Sequence, residues 1–132
     1  ALPALAELRD ITGESVQLYV RDGDRRVCVA SLESPHGLRT IVAQGASLPL
    51  DVGSAGAVLR EDADTLARGF AESVAQREAG VASVSAPVWA GGSVVAAVSV
   101  SGPIERLSRE PGKRYADAVM AAARRIEKDA GF

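Results

Sequence analysis

Apolar residues change from a helical to a strand period early in the chain. Leucine and isoleucine recur at every third position from Leu2 to Ile11, ahead of Gly13, and this spacing predicts a helix. Apolar and polar residues then alternate from Ser15 to Leu32, on both sides of an Asp22-Gly23 pair. Alternation around an Asp-Gly turn predicts an antiparallel β-hairpin.

The middle of the chain predicts short elements separated by small residues. A third short strand is predicted over Leu38 to Ala43. The small-residue stretch 51–56 leads into a short helix that is predicted from Ala55 to Leu59. Another helix is predicted from Asp62 to Phe70, because the Asp62 carboxylate can cap its first turn.

The last third of the chain predicts a second hairpin. Its strands cover Val81–Trp89 and Val94–Ser101, and residues 90–92 form the connection between them. Pro103 ends the second strand, because proline cannot donate a hydrogen bond to a strand ladder.

A long C-terminal helix is predicted over Gly112–Asp129, with Gly131 as its stop. Its buried face is expected to consist of Tyr115, Val119, Ala122 and Ile126. Terminal helices around hairpin-linked strands indicate an α+β fold, with both helices packed against an antiparallel sheet. The sequence contains no internal repeat or linker, so residues 1–132 are expected to form one domain.

The charge balance argues against direct contact with nucleic acid. The 132 residues include 15 basic and 17 acidic side chains, for a net charge of −2. Duplex-binding surfaces need clustered Lys and Arg to displace counterions. These residues alone are therefore not expected to hold DNA.

Composition predicts a soluble cytoplasmic domain without a metal, a cofactor or a membrane partner. No stretch approaches the length of about 20 apolar residues that spans a bilayer, and no leader opens the chain. The single cysteine excludes an internal disulfide and fits a reducing compartment. One Cys and one His cannot build a zinc site without carboxylates, and no glycine-rich phosphate motif is present.

Two side chains, His36 and Cys28, are the candidates for catalysis. Nothing in the sequence pairs His36 with a nucleophile, and a lone loop histidine is typical of a solvated residue. Cys28 lies between two valines of a predicted strand, which is typical of a small buried hydrophobe. The sequence therefore predicts no catalytic residue and no enzyme.

Six short segments, in the order in which they follow one another along the chain, indicate a family. They are 12–18 (TGESVQL), 34–39 (SPHGLR), 45–50 (GASLPL), 53–56 (GSAG), 80–88 (GVASVSAPV) and 98–103 (VSVSGP), followed by Arg106-Leu107. Together they resemble the regulatory domain of the IclR family of bacterial transcription regulators. The resemblance covers nearly the whole chain and implies a GAF-like fold. It departs from the family where residues 58–68 replace a longer helical insertion.

The resemblance implies that the domain binds a small-molecule effector, an organic or aromatic acid, between the sheet and the loops. Carried over by position, the effector-binding residues are Leu48, Ser54, Ala55, Ser73, Val81, Ser83, Ser99 and Ser101. It also implies a winged helix-turn-helix domain before residue 1, through which alone DNA is contacted. A homodimer or a dimer of dimers is implied as well.

The chemistry of these positions suits an acid. A helix that starts at Ser54 presents unpaired N–H groups, and serine hydroxyls add donors, whereas no Lys or Arg falls at the matching positions. The same residues are also typical of ordinary capping and of the solvent face of a strand.

The turn of the second hairpin decides which serines share a face. A two-residue turn at Gly91-Gly92 pairs Ser83 with Val100, whereas a three-residue loop over 90–92 pairs Ser83 with Ser99. The family pocket requires the second arrangement, and we predict it.

Three other functions remain open. The short 58–68 segment favours a dimerisation domain with a vestigial pocket. A stand-alone GAF-like sensor is a second alternative. A small enzyme that uses His36 or Cys28 is the least favoured.

Overall fold

The computed structural model describes residues 2–76 and 79–130. Over those residues the chain forms helices packed on an antiparallel sheet, which is the predicted α+β fold. The helices are α1 (Leu2–Thr12), α2 (Gly53–Leu59), α3 (Ala63–Arg68), α4 (Ile104–Leu107) and α5 (Pro111–Asp129). The strands are β1 (Ser15–Asp22), β2 (Arg25–Leu32), β3 (Ser47–Pro49), β4 (Ala71–Val74), β5 (Val81–Ala90) and β6 (Ser93–Pro103).

The sheet has the strand order β3-β2-β1-β6-β5-β4, and each neighbouring pair is antiparallel. Both predicted hairpins, β1-β2 and β5-β6, are present. They are joined where β1 pairs with β6, so the two halves of the chain share one sheet. β3 and β4 form its two edges.

Helices α1 and α5 cover one face of this sheet. Leu5 and Leu8 of α1 pack there against Val84, Val98 and their neighbours on β5 and β6. Burial of one such side chain contributes about 1.5–3 kcal/mol. The predicted buried face of α5 is confirmed for Tyr115, Val119, Ala122 and Ile126. The predicted stop at Gly131 lies outside the described residues.

The short helix α2 covers the opposite face of the sheet. It packs over a second apolar cluster that includes Tyr19 of β1 and Cys28 of β2. Close packing depends on Gly56, because a Cβ atom there would lie 2.2 Å from the carbonyl oxygen of Leu50. The sheet is therefore sandwiched between α1 with α5 on one side and α2 on the other.

The prediction of a strand over Leu38 to Ala43 is wrong. These residues form no strand, and the third strand lies further along at β3. Side chains satisfy the backbone of this segment in place of a neighbouring strand. The Ser15 hydroxyl donates to the Thr40 carbonyl at 2.5 Å, and the Arg106 guanidinium donates to the Leu38 carbonyl at 2.5 Å.

The helix predicted from Asp62 to Phe70 is shorter than expected. Asp62 caps α3 as predicted, since its carboxylate accepts a hydrogen bond from the Thr65 N–H at 3.1 Å. Gly69 then adopts a left-handed conformation with φ of 88° and ends the helix. Phe70 therefore lies outside α3, immediately before β4, a strand that the sequence pattern did not predict.

Cys28 is a core residue, as predicted. Its side chain is fully buried, and burial raises the pKa of the thiol above its ordinary value. The thiol donates to the Ala30 carbonyl with an Sγ–O distance of 3.3 Å.

We therefore expect Cys28 to react with a disulfide reagent at least ~100-fold more slowly in the native protein than in denaturant, because reaction needs an exposed thiolate. The raised pKa leaves the free energy of unfolding near pH 7 unchanged. It lowers that free energy once the pH exceeds the pKa of the thiol in the unfolded chain, which is about 8.5. Thiol titration with a chromogenic disulfide, with and without urea, measures both rates. Equal rates would contradict a buried thiol.

Over residues 2–76 and 79–130, none of the helices has the length and hydropathy that a bilayer-spanning segment needs.

Candidate functional site

The serines of the second hairpin share one face of the sheet, opposite α1 and α5. Ser83 lies across from Ser101, and Ser85 lies across from Ser99. The predicted three-residue loop, with Ser83 opposite Ser99, is wrong. Ala90 pairs with Ser93 across a two-residue turn, and a bulge at Val95 then shifts the register by one residue.

Five hydroxyl groups on this face form a continuous chain. The order is Ser73, Ser83, Ser54, Ser85 and Ser99. Successive oxygen–oxygen distances are 2.8, 2.7, 2.7 and 2.5 Å. Ser54 belongs to α2 and Ser73 to the edge strand β4, so the chain of hydroxyls connects α2 with three strands of the sheet.

A small cavity of about 30 Å³ lies beside this serine chain. Such a volume holds about two water molecules. The cavity is lined by Gln17, Tyr19, Arg26, Gly53, Ser54, Ala55, Ser73, Val81, Ser83, Ser99 and Ser101. We refer to it as the serine cavity.

Of the described residues that line the serine cavity, one, Arg26, carries a charge. Its side chain is 3% exposed, and its Nη1 donates to the Val52 carbonyl at 2.5 Å. The guanidinium also lies 5.0 Å from the centre of the Tyr19 ring, within the range of a cation–π contact. The positions carried over from the family include no Lys or Arg, and the structure adds Arg26 beside them.

The start of α2 offers fewer free donors than its sequence suggests. The Gly53 N–H donates to the Gln76 side-chain oxygen at 3.0 Å. On the sheet, the Ser101 hydroxyl donates to the Gln17 side-chain oxygen at 3.0 Å. The arrangement is thus a polar cavity whose groups are already hydrogen-bonded to one another.

Seven of the eight predicted effector-binding residues line this one cavity, and Leu48 does not. Leu48 lies on the edge strand β3, opposite Arg26, and packs against the cluster under α2. Sequence reasoning missed Gln17, Tyr19, Arg26 and Gly53 in the lining, and Ser85 in the serine chain. For Gln17 and Tyr19 a signal existed, because they are the polar positions of the alternating pattern in β1.

A buried ion pair fixes the ends of the strands next to the serine cavity. Glu14 is 2% exposed, and its two oxygens accept from Nε and Nη2 of Arg106 at 2.7 and 2.9 Å. The hydrogen bonds to Glu14 raise the pKa of Arg106 above its ordinary value. Gly102 leaves room for this pair, since a Cβ atom there would lie 2.6 Å from Glu14 Oε1.

Among the described residues, no group of three or more His, Cys, Asp or Glu side chains is arranged to hold a metal ion.

Helices on both faces of one antiparallel sheet, with a polar cavity under α2, define a GAF-like α+β domain. The family model described as bacterial transcriptional regulator IclR C-terminal matches residues 1–65 and 57–128. The chain belongs to the IclR family of bacterial transcriptional regulators and matches its C-terminal domain.

Individual relatives agree with this assignment. The HTH-type transcriptional regulator BhcR of Paracoccus denitrificans is 26% identical over an alignment that covers 99% of this chain and 61% of BhcR. An IclR-family protein from Rhodococcus sp. superposes with a TM-score of 0.89 at 30% identity, covering 96% of this chain and 61% of that one. HmgR of Pseudomonas aeruginosa gives a TM-score of 0.89 at 27% identity, covering 100% and 65%.

Two length differences follow from these comparisons. The chain spans about three fifths of the length of BhcR and of the Rhodococcus protein, 61% of each. Within the BhcR alignment, 171 positions face the 132 residues of this chain, so at least 39 (171 less 132) have no counterpart here. The two matched pieces meet at 57–65, within the region where the sequence predicted a shortened helical segment.

Proposed function

We propose that this domain binds a small organic or aromatic acid in the serine cavity, and that binding modulates a DNA-binding domain of the same regulator. Membership in a family of transcriptional regulators supports the second part. BhcR, which carries the helix-turn-helix designation in its name, is longer than this chain, and its remaining length leaves room for such a domain.

The observation that carries the first part is a buried cavity that combines hydroxyl groups with one fixed cation. Ligand sites are concave and contain a few polar groups that converge on the ligand. Here the serine chain and Arg26 converge on the same small volume from different strands. Both are suited to a carboxylate, which accepts hydrogen bonds and carries a negative charge.

The size of the cavity limits what enters it. About 30 Å³ accommodates a carboxylate group and little more. A wider groove of about 470 Å³ adjoins it, and Val81 lines both. Leu38 and Ile41, which are 68% and 60% exposed, also line that groove. The body of a larger acid therefore fits over Val81, with its carboxylate among the serines.

A ligand shifts a regulator only if it favours one conformation over another. The edge strand β4 is the element best placed to respond. Ser73 of β4 belongs to the serine chain, and the adjacent Glu72 accepts from the Gly112 N–H at the start of α5 at 2.6 Å. Displacement of β4 by a ligand would therefore reach α5, which packs on α1.

The proposal includes the partners that the family resemblance implies. The regulator acts in the cytoplasm as a homodimer or a dimer of dimers, because a two-fold symmetric protein matches paired operator half-sites. It contacts DNA through the DNA-binding domain and not through this one, whose net charge is −2.

The test is a thermal-shift screen with short aliphatic and aromatic carboxylates, followed by calorimetry on the hits. We expect at least one acid to bind, and Ser101→Val to weaken it by about 10- to 100-fold. Valine narrows the cavity and removes the hydroxyl that orients Gln17. A carboxylate that thereby loses one hydrogen bond in the cavity loses about 1.5–3 kcal/mol of binding free energy.

Ser93→Val is the matched control, because Ser93 is the exposed first residue of the same strand and its replacement should not alter affinity. An acid that binds Ser101→Val as tightly as the wild type would remove the serine cavity as its site. If none of the acids binds, the alternative of a dimerisation domain with a vestigial pocket is favoured.

A further inference from the structure

The two glycines at the start of α2 leave space for a guanidinium group. A Cβ atom on Gly53 would lie 3.1 Å from Nη1 of Arg26, and one on Gly56 would lie 3.3 Å from the same atom. Gly53 also has a φ of 81°, which L side chains rarely adopt. The small residues 53–56 at the start of α2 therefore make room for Arg26, in addition to bringing Ser54 and Ala55 to the cavity.

This location puts a permanently charged side chain in the lining of the serine cavity. A guanidinium stays protonated even when it is buried. At 3% exposure water screens it little, so its attraction for an anion in the cavity is stronger than at the surface. The other described residues of the lining are neutral, and serine hydroxyls serve an acid or an amide equally well.

From these contacts we propose that Arg26 is the specificity-determining residue of the serine cavity, and that it selects a carboxylate over a neutral ligand of the same shape. The proposal rests on the proposed function, because it presumes that a ligand enters this cavity. It goes further in assigning the choice of ligand charge to one side chain, on a strand that contributes none of the predicted effector-binding residues.

A structural role for Arg26 makes a different prediction. If the guanidinium served only to bind the Val52 carbonyl and support α2, its loss would weaken the binding of every ligand to the same extent. If the guanidinium selects for charge, its loss weakens the binding of acids alone. The ratio of the affinities for an acid and for its amide separates these two roles.

The experiment uses two matched pairs of probes, lactate with lactamide and benzoate with benzamide. Calorimetry measures their affinities for the wild-type domain and for Arg26→Gln, Arg26→Lys and Arg25→Gln. Glutamine keeps a donor for Val52 but carries no charge, and lysine keeps the charge. Arg25 is the exposed neighbour of Arg26 on β2 and provides the control.

We expect the wild type and Arg25→Gln to prefer at least one acid over its amide by tenfold or more. Arg26→Gln should bind that acid and its amide equally, with about a 10- to 100-fold loss for the acid, and Arg26→Lys should retain part of the preference. An undiminished preference for the acid in Arg26→Gln would overturn the proposal. Equal losses for both probes would overturn it too, in favour of a structural role.

One further measurement does not depend on the folding of a variant. In wild-type protein labelled with ¹⁵N-arginine, the side-chain Nε–H resonance of Arg26 should move on addition of the acid and stay in place with the amide. If an acid binds and the Arg26 resonance does not move, the role of Arg26 is overturned and the proposed function stays intact. Binding of an amide but no acid would overturn both, as would binding of none of the four probes.

Discussion

Replacement of Arg106 by methionine is expected to lower the free energy of unfolding by about 3 kcal/mol. Glu14 is 2% exposed in the wild type, and the variant would remove both of the hydrogen bonds that Arg106 donates to it. Breaking a buried ion pair from one side costs about 3–5 kcal/mol, because the remaining charge is left in a poorly solvated place. The Arg106 side chain is 26% exposed, so water reaches the pair and the lower end of that range applies.

Arg39→Met is the control for this change. Arg39 pairs with Glu33 at 2.7 Å, but the two side chains are 34% and 50% exposed. Pairs of this kind contribute about 0–1 kcal/mol. Urea unfolding followed by circular dichroism gives both values. Similar losses for the two variants would show that burial of Glu14 does not decide the strength of the pair.

Replacement of Gly56 by alanine is expected to cost about 2–4 kcal/mol, since overpacking against rigid groups is among the most damaging single changes. The new Cβ atom would lie 2.2 Å from the oxygen and 3.1 Å from the carbon of the Leu50 carbonyl. Both are backbone atoms, so α2 or the segment before it has to move. Movement of α2 would also displace Ser54 from the serine chain.

Gly37→Ala is the matched control. A Cβ atom at Gly37 meets nothing within 4 Å, and this glycine does not have a positive φ. We expect the stability of this variant to be unchanged or slightly higher. Alanine lowers the conformational entropy of the unfolded chain, which raises the free energy of unfolding by about 0.4–1 kcal/mol. Thermal unfolding of both variants tests the comparison. Equal stabilities would contradict the close packing of α2.

The pattern of apolar and polar residues predicted the terminal helices and the two hairpins. The terminal helices and both hairpins follow from the spacing of apolar residues and from the glycine-containing segments at 22–23 and 90–92, although the second turn is one residue shorter than predicted. The segment from Leu38 to Ala43 has a strand-like pattern too, but its Leu38 and Thr40 carbonyls accept hydrogen bonds from side chains that are distant in sequence. Propensity cannot report such contacts, because they exist only after the chain has folded.

The sequence predicted the serines that line the serine cavity, but it did not predict the charged Arg26 there. The serines come from strands and a loop with recognisable motifs, but their pairing depends on a one-residue bulge at Val95 that no short-range pattern marks. Arg26 follows another arginine directly after a turn, which is typical of an exposed position. The Arg26 side chain becomes part of the cavity because it reaches the start of α2, where glycine at 53 and 56 leaves room for it.

Among the described residues, the chain of five serine hydroxyls contains one hydrogen more than its own bonds use. Each hydroxyl donates once, and four contacts join five groups. Any of the five can keep the spare hydrogen, because the hydroxyls on either side can all turn toward it. Loss of Ser99 at one end would leave that number unchanged, whereas loss of Ser54 at the centre would raise it to two. The serine chain thus acts toward a ligand as a single donor whose position the ligand selects.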